Sequence, residues 1–506
     1  MLEAISNGLT EVLQPATLAI MLLGILIGFL VGILPGLGGA VTLAIMLPFT
    51  FGMEPVQGFA FLLGMWVVTS TTGDLTSVLF GVPGEATSAA AVMDGYPLTK
   101  KGQGGRALGA VLTSSAMGAI FGAVVLALSI TLIRPVVLAL GAPEFFALTI
   151  LGLTFVITLA GKNLIKGFIM VSIGLLVALV GVDPQVGVER FTFGQLYLWD
   201  GINLIPIVVG LFGGAEVLQL MLSKSSIAQP SGPGQNKLHG TGQGVLDVFR
   251  HWSLVLRSAG IGALIGMLPG LGGSVAQWMA YGHARQTSKS PEQFGKGAID
   301  GLIAAGATNN AKDGGSLIPT IAFGIPGGAA TAVLLGGFMI LGLTPGKEML
   351  TTRLDVTMSM VWIAIISNLV AVGIALLFIR PLMKLTRLQG PVLIPALVLL
   401  LVIGSYTATN SFADVLVMIA ASALGVVCLR WDWPRVPFLL AVVLGGFAET
   451  YLNLATSMFG TSWVTRPIVL GLGVIILASI VYGIRTNRRA ASRLEPEPSS
   501  PARTSK

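Results

Sequence analysis

Two short motifs of this chain occur twice, in the same order. Residues 32–39 read GILPGLGG, and GMLPGLGG follows 234 positions later at residues 266–273. Residues 81–84 read GVPG, and GIPG follows 243 positions later at residues 324–327. Ordered matches with a slowly drifting offset are hard to obtain by chance. They predict that the chain consists of two homologous halves, and homologous halves are expected to share the same fold.

Composition predicts that both halves lie in a membrane. Of 506 residues, 54% are hydrophobic and only 10% are charged, whereas soluble domains carry roughly 25% charged residues. One spanning helix needs about 20 apolar residues, so this length predicts an all-α polytopic membrane protein with about 11–12 transmembrane helices. The lipid bilayer is therefore the first predicted partner, and a soluble globular enzyme is excluded.

The sequence lacks the residues that several common kinds of chemistry require. The single cysteine, Cys428, excludes a disulfide framework and a cysteine-based metal site. No HExxH or GxxxxGK[ST] pattern occurs, so neither a metalloprotease nor a built-in ATPase is indicated. The net charge of +7 comes from basic residues in loops between apolar runs, which indicates membrane orientation and not nucleic-acid binding. We therefore predict no enzyme, no catalytic residues and no cofactor beyond a possible sodium ion.

Loop charges predict that the halves are inverted-topology repeats. Basic residues mark one side of the first half, around Lys100, Lys101, Lys162 and Lys166, while residues 183–200 are mainly acidic. At matching positions of the second half the bias is reversed, which indicates opposite orientation. The predicted organisation is a first repeat (1–222), a cytoplasmic connector (223–250), a second repeat (251–455), a last transmembrane helix (456–484) and a disordered cytoplasmic tail (485–506).

Four polar or glycine-rich stretches interrupt the apolar pattern. The two PGLGG runs predict broken or re-entrant helices, because proline removes a donor and glycine permits close approach. Each GVPG or GIPG predicts a short helix, a break and a second short helix. Helix kinks with glycine packing are the structural alternative. Paired interrupted segments instead indicate a transport site, where a half-helix N-terminus suits a carboxylate and unwound carbonyls suit sodium.

The candidate residues lie in or beside these breaks. Substrate-binding candidates are Thr71, Thr72, Thr76, Gly81, Pro83, Gly84, Asn309, Asn310, Gly324, Pro326 and Gly327. Ion-coupling candidates are Asp74, Asp313, Gly36, Gly38, Gly270 and Gly272. Ionisable groups at membrane depth are usually functional, although Lys312 and Asp313 could also simply neutralise each other. Glu216 and Glu449, at matched positions, could bind a cation or end a helix.

At these motifs the chain resembles the large membrane subunit of bacterial tripartite tricarboxylate transporters, the TctA-type permeases. The resemblance rests on GILPGLGGAVTLAIMLP, on TTGDLTSVLFGVPGEATSAAAVMDGYPLTKKGQGGRALG, and on NNAKDGGSLIPTIAFGIPGGAATAVLLGGFMILGLTPG. The chain departs from many members at residues 72–74 and 305–307, beside the predicted pocket. It lacks their Tyr-Gly-Gly at the first position and their Ala-Pro-Glu at the second.

The resemblance implies a subunit of the bacterial inner membrane that imports a di- or tricarboxylate with sodium or a proton. It also implies two protein partners, a small four-helix membrane subunit and a periplasmic solute-binding protein that delivers the substrate. Two alternatives stay open. One is an organic-anion permease or exporter that needs no binding protein, and the other is a membrane-embedded enzyme or scaffold.

Overall fold

The fold is a bundle of helices with almost no sheet. The structure is a computed structural model that describes residues 1–34, 37–159, 164–183, 187–222, 240–269, 272–378 and 390–492. The helices of the first half are α1 Leu2–Val12, α2 Pro15–Gly32, α3 Gly39–Met46, α4 Pro55–Phe80, α5 Ala89–Lys100, α6 Gly104–Ala139, α7 Ala142–Leu159, α8 Leu164–Ala178, α9 Leu204–Val208 and α10 Ala215–Leu222. The later helices are α11 Thr241–Arg250, α12 Trp252–Gly266, α13 Gly272–Thr287, α14 Ile299–Phe323, α15 Ala329–Ile340, α16 Leu354–Leu377, α17 Gly390–Tyr406, α18 Phe412–Arg430, α19 Arg435–Phe459 and α20 Pro467–Ser492.

Short irregular elements complete the chain. A π-helical turn, Val209–Gly214, joins α9 to α10. Two antiparallel strands, β1 Gly181–Val182 and β2 Glu189–Arg190, pair in the loop between α8 and α9, with Gly181 opposite Arg190.

The all-α polytopic membrane fold is confirmed. Within the described residues, seven helices are long and apolar enough to cross a membrane: Pro15–Gly32, Gly104–Ala139, Leu204–Leu222, Leu354–Leu377, Phe412–Arg430, Arg435–Phe459 and Pro467–Arg485. Six shorter apolar helices accompany them. Helices α4 and α14, of 26 and 25 residues, are long enough but stand outside this set. They are the two helices that carry the polar stretches of the predicted site.

The helices form two groups. The site bundle contains α1, α2, α4–α6, α11–α14 and α16, with α4 and α14 packed among the others. The flanking bundle contains α7–α10 and α17–α20, where α19 packs on α7 and α8. Helices α3 and α15 contact both bundles. Each half contributes to both bundles, and α3, which follows the first PGLGG run, and α15, which follows GIPG, lie where the bundles meet.

Glycines bring the helices of the site bundle into backbone contact. A Cβ atom built at Gly28 would lie 2.6 Å from the carbonyl oxygen of Met65, so α2 packs directly on α4. In the second half, a Cβ at Gly262 would lie 2.7 Å from the carbonyl oxygen of Thr308, so α12 packs in the same way on α14. Close helix packing in lipid depends on such small residues. The matched contacts show that glycines serve the same packing role in both halves, while the inverted orientation of the halves stays a prediction.

Glu216 and Glu449 form ion pairs between the halves. Arg435 donates from Nη2 to Glu216 Oε1 at 2.9 Å, and Arg190 donates from Nη1 to Glu449 Oε1 at 2.7 Å. Asp183 also approaches Arg190, at 3.4 Å. The Glu216–Arg435 and Glu449–Arg190 pairs each join an acid of one half to an arginine of the other, whereas Asp183 and Arg190 belong to the same half. Because both acids already bind an arginine, the structure favours a bridging role over cation binding.

Some element bounds differ from the sequence-based boundaries. Residues 241–250 of the predicted connector form α11, which packs on α6, while residues 223–239 lie outside the described residues. The boundary at residue 455 falls inside α19, which ends at Phe459, and α20 begins only at Pro467. Helix α20 continues into the predicted tail as far as Ser492, and residues 493–506 lie outside the described residues. Arginines with long aliphatic stems allow a helix to continue beyond its apolar segment.

Candidate functional site

The polar stretch of α4 is helical throughout, which corrects the prediction of a short helix before the break. Thr71 and Thr72 donate from Oγ1 to the carbonyl oxygens of Val67 and Val68, at 3.1 and 2.9 Å. Thr76 donates in the same way to Gly73, at 3.0 Å. These backbone contacts satisfy the buried hydroxyls locally, so the stretch needs no break in the helix. The matching stretch of α14 is also continuous, up to Phe323.

The two polar stretches contact each other inside the site bundle. Asn309 donates from Nδ2 to Asp74 Oδ2 at 3.2 Å and to the carbonyl oxygen of Ser70 at 2.9 Å. Asn310 donates from Nδ2 to Thr71 Oγ1 at 2.8 Å. All of these side chains are buried. Helices α4 and α14 therefore form a crossing, defined here as the α4–α14 crossing, where residues of both halves share one hydrogen-bond network.

Sequence reasoning missed Asn368, which extends this network from α16. Its Oδ1 atom accepts from Thr71 Oγ1 at 3.1 Å and from Asn310 Nδ2. Its own Nδ2 donates to the carbonyl oxygen of Ala364 at 2.9 Å. Asn368 is 1% exposed, and apart from Ser367 the central residues of its helix are apolar. An isolated asparagine inside a spanning helix is itself a signal of function, and it could have been used.

The two breaks have matching backbone conformations. Helix α4 ends at Gly81 and α14 at Gly324, both left-handed, with φ of 70° and 68°. A side chain at either position would be strained, which explains the glycine. After each break, a hydroxyl closes a small ring at the start of the next helix. Ser88 Oγ accepts from the amide of Glu85 at 3.3 Å, and Thr331 Oγ1 accepts from the amide of Gly328 at 3.0 Å.

Each break folds back on the helix that precedes it. A Cβ atom at Gly84 would lie 2.5 Å from the Cα of Gly73, and one at Gly327 would lie 2.6 Å from the Cβ of Ser316. In both halves the contact spans eleven residues of the sequence. The structure thus brings together the helices before the breaks, and it packs each break against its own helix. Pro83 is half-buried and Pro326 is buried.

Glu85, the acid that follows GVPG, reaches the first PGLGG segment. Its Oε2 atom accepts from the amide of Gly39 at 3.1 Å, at the N-terminus of α3, and Thr87 donates to its Oε1. A carboxylate at a helix N-terminus is stabilised by free amides and the helix dipole. The sequence analysis predicted an anion at such a half-helix N-terminus. In the first half, the chain itself supplies that anion.

The second half lacks an equivalent acid. Gly328 lies 243 residues after Glu85, the same offset that relates the two left-handed glycines and the two ring-closing hydroxyls. A Cβ atom at Gly328 would meet nothing within 4 Å, so the position is open. The charge that the second half does contribute is that of Lys312, whose side chain lies along Gly273, with the Cβ position of Gly273 2.3 Å from Lys312 Cε. The two halves therefore match in backbone but differ in charge.

Four ionisable groups interact around the crossing. Lys312 Nζ binds Asp313 Oδ1 at 2.7 Å, and both side chains are less than a tenth exposed. Asp74 and Glu85 are close enough to interact electrostatically with Lys312 and with each other. Lys312 and Asp313 therefore form an ion pair and neutralise each other, which is one of the two roles considered for them from the sequence. Three carboxyl groups face one ammonium group, so ionisation of all three would leave an excess of negative charge inside the bundle.

Several buried oxygen atoms of the crossing lack a hydrogen-bond partner within the described part of the chain. They belong to Ser70 (Oγ), Asp74 (Oδ1), Asn309 (Oδ1), Asn310 (Oδ1) and Asp313 (Oδ2). Ser70 and Asp313 lie within reach of a hydrogen bond to each other, which links the set across the crossing and leaves Asp74, Asn309 and Asn310 with the acceptors that no described residue satisfies. Buried polar atoms are almost always satisfied, so a cluster of orphaned acceptors requires an explanation. Oxygen acceptors of this kind are the ligands that hard cations prefer.

The remaining candidates are glycines of the PGLGG segments. Gly38 lies beside Glu85, with a Cβ position 3.0 Å from Oε2, and Gly272 begins α13. Gly36 and Gly270 lie outside the described residues. Among the described residues, no group of three His, Cys, Asp or Glu side chains could hold a metal ion. Any cation at the crossing would therefore depend on amide and hydroxyl oxygens as well as carboxylates.

The segment after the first break is anchored to the second half. Asp94 Oδ1 accepts from the amides of Gly297 and Ala298, each at 2.8 Å, just before α14 begins. Tyr281 donates from its hydroxyl to Asp94 Oδ2 at 2.9 Å. The ring of Tyr96 packs on Gly81, whose Cβ would lie 2.8 Å from it. The DGY sequence at residues 94–96, which supported the family resemblance, thus holds the break in register with α14.

Comparison with known proteins agrees with this architecture. The family model described as "Tripartite tricarboxylate transporter TctA family" matches residues 18–440. A protein of Agrobacterium vitis named "Uncharacterized 52.8 kDa protein in TAR-I ttuC' 3'region" is 34% identical over 500 residues, which cover 97% of this chain and 98% of that protein. A second, "Uncharacterized protein in TAR-II ttuC' 3'region", is 33% identical over 234 residues, 45% of this chain and 97% of its own length. No solved structure matches the chain.

These matches confirm the resemblance that the motifs carried. The family match covers both PGLGG segments, both breaks and the α4–α14 crossing. The matched family consists of transporter components and is not an enzyme family. The chain is therefore a multi-pass membrane transporter component that belongs to the tripartite tricarboxylate transporter TctA family.

Proposed function

We propose that this chain imports an organic di- or tricarboxylate together with a cation that binds at the α4–α14 crossing. The observation that carries the proposal is a cluster of buried oxygen atoms on Asp74, Asn309 and Asn310, beside Ser70 and Asp313, for which the described residues offer too few hydrogen-bond donors. This cluster lies between two matched helix breaks, the arrangement expected of a secondary transporter. The family supports transport in general, and the cation and the substrate class are our proposals.

The cation would offset the negative charge of the crossing. Asp74 is fully buried, and only one of its oxygens is hydrogen-bonded within the described residues. An unpaired charge at membrane depth is expensive, so a bound cation would stabilise the carboxylate. The number of available oxygens favours sodium over a proton, because a proton would satisfy only one of them. This reasoning makes Asp74 and Asp313 the residues that couple transport to the ion.

Charge also provides a reason for coupling. Without a cation, the excess of carboxylates around Lys312 would repel a second anion. Once the cation is bound, the field near the breaks becomes less negative and a substrate carboxylate can approach. Each ligand would then increase the affinity for the other by the same factor. The cation and the carboxylate would therefore be imported together even if they do not contact each other.

The substrate carboxylate would bind beside the second break. In the first half, Glu85 already occupies the N-terminus of α3. The open space at Gly328 is the matching position. A polyanion needs several donors when it leaves water. The backbone amides that follow Gly328 at the start of α15 would supply some of them, while Asn309 and Asn310 shape the crossing.

We also propose the partners and the location that the family resemblance implies. The chain would act in the bacterial inner membrane with a small four-helix membrane subunit. A periplasmic solute-binding protein would deliver the carboxylate. The match to a family of tripartite transporters supports both partners.

Uptake measurements test this function. Cells that express the chain with its two proposed partners should accumulate one member of a panel of radiolabelled di- and tricarboxylates, and only in the presence of sodium. Omission of the binding protein should abolish uptake. Undiminished uptake without it would indicate a binding-protein-independent permease, and efflux from preloaded vesicles would indicate an exporter. Absence of movement of every carboxylate would refute the proposal.

A further inference from the structure

A second charged cavity lies away from the α4–α14 crossing. It is a cleft of about 530 Å³ between the α11–α12 junction and the segment that joins α13 to α14. Three cationic side chains line it: Arg250, Arg257 and Lys289. Within the described residues, none of the three takes part in an ion pair. The cleft therefore carries positive charge that the protein does not neutralise.

The other groups that face this cleft suit an anion. The hydroxyl residues that line it are Ser253, Thr287, Ser288 and Ser290. Its acid, Asp300, faces His251, with 3.5 Å between Oδ1 and Nε2, and does not pair with the three cations. Ser253 lies in the first turn of α12, directly after the junction with α11. Cations and hydroxyls together match the oxygens of a phosphate group.

The cleft lies beside an apolar surface. Leu246, Phe249 and Trp252 are 55%, 58% and 60% exposed. Their orientation is fixed, because the opposite face of α11 packs tightly on α6. A Cβ atom at Gly244 would lie 2.0 Å from the carbonyl oxygen of Arg106, and Arg106 binds Asp247 at 2.6 Å. Amphipathic helices of this kind lie in the membrane interface, where tryptophan is also enriched.

The basic cleft and the exposed apolar side chains therefore lie next to each other, at the junction of α11 and α12. Trp252 begins α12, one of the shorter apolar helices, so the cleft opens where the chain enters the bilayer. We propose that this basic cleft binds the phosphate of an anionic phospholipid, whose acyl chains lie along Leu246, Phe249 and Trp252. Basic pockets between helices at the membrane surface bind lipid headgroups in this way. The site is independent of the proposed transport function.

Lipid retention by the purified full-length chain tests the assignment. The protein is incubated with phosphatidylcholine vesicles that contain or lack phosphatidylglycerol, and bound lipid is measured by native mass spectrometry. The variant Arg250→Gln/Arg257→Gln/Lys289→Gln should bind phosphatidylglycerol roughly 100-fold more weakly than wild type, because each cation near the surface contributes about fivefold and the three factors multiply. The control Lys100→Gln/Arg285→Gln/Lys296→Gln removes the same charge outside the cleft and should retain wild-type binding.

A second variant separates binding from folding. Arg250→Lys/Arg257→Lys keeps the charge but loses the planar guanidinium, so it should bind phosphatidylglycerol less tightly than wild type and more tightly than the glutamine variant. Equal binding by wild type and the glutamine variant would overturn the proposal. If inorganic phosphate bound as tightly as phosphatidylglycerol, the ligand would be a soluble phosphate and the lipid assignment would be wrong.

Discussion

Asn309 Nδ2 lies 3.2 Å from Asp74 Oδ2, and this contact joins the polar stretch of one half to that of the other. The two residues are 235 positions apart in the chain, and both are fully buried. The same amide nitrogen also reaches the carbonyl oxygen of Ser70. A substitution at Asn309 would therefore disturb both halves. This shared network is the reason for placing ion coupling at the α4–α14 crossing and not within either half.

The difference in charge between the breaks leads to a prediction at Gly328. The substitution Gly328→Glu would place a carboxylate at the position that matches Glu85. We expect it to abolish carboxylate uptake while membrane insertion stays normal, because the new acid would occupy the proposed anion position and repel the substrate. Gly328→Gln has nearly the same size without the charge, and it should retain more uptake. Equal loss in both variants would indicate that space, not charge, limits this position.

The close approach at Gly327 predicts a loss of stability. The substitution Gly327→Ala would bring a methyl group within 2.6 Å of the carbonyl oxygen of Gly266. Overpacking of this kind costs about 1–3 kcal/mol, so the thermal midpoint of the purified protein should fall. The neighbouring Gly328→Ala is the control, since a Cβ there meets nothing within 4 Å. Equal midpoints for the two variants would show that the break can shift without cost.

The ion pairs between the halves predict a measurable coupling. Arg435 and Glu216 are both partly exposed, at 17% and 18% of their side-chain surface. A double-mutant cycle with Arg435→Gln and Glu216→Gln should give a coupling energy of about 1 kcal/mol, near the upper end for partly exposed pairs. The coupling should decrease at high salt. A cycle on Arg190 and Glu449 should give a similar value, and no coupling in either cycle would contradict a bridging role.

The loop charges predict the topology of the membrane protein. We expect the N-terminus outside and the connector and C-terminus inside. Ser6→Cys and Ser231→Cys, each in a Cys428→Ser background, should be labelled from opposite sides by a membrane-impermeant thiol reagent. Ser6 is exposed, and Cys428 is buried. Labelling of both positions from the same side would contradict the inverted arrangement.

The sequence predicted the fold class and the breaks because both depend on local patterns. Apolar runs identify spanning helices, and Gly81 and Gly324 mark the two left-handed turns by their residue type alone. The bounds of α11 and α20 were not predicted, because polar and basic residues can continue a helix once it packs on a neighbour. The short helices expected before the breaks were wrong for a related reason. Threonine hydroxyls bond to the helix backbone and keep α4 continuous.

The site was only partly predictable, because its contacts are distant in sequence. Asp74 and Asn309 could be singled out as polar residues at membrane depth, but their contact depends on how α4 crosses α14. Asn368 was missed, since it lies outside the repeated motifs. Glu85 was recognised as part of a motif, but its contact with Gly39 required the fold. Patterns of residue type identify candidates, and tertiary packing decides which of them meet.

Sodium binding to the purified full-length chain tests the central claim most directly. Isothermal titration with sodium chloride, at constant ionic strength maintained with choline chloride, should give a saturable signal for wild type. In Asp74→Asn the affinity should fall at least about tenfold, because a charge-assisted contact to the ion is lost. The matched control Asp414→Asn removes another buried acid, which Tyr197 binds at 2.6 Å outside the crossing, and it should bind sodium as wild type does. Wild-type affinity in Asp74→Asn, or no sodium binding by the unaltered chain, would contradict the account.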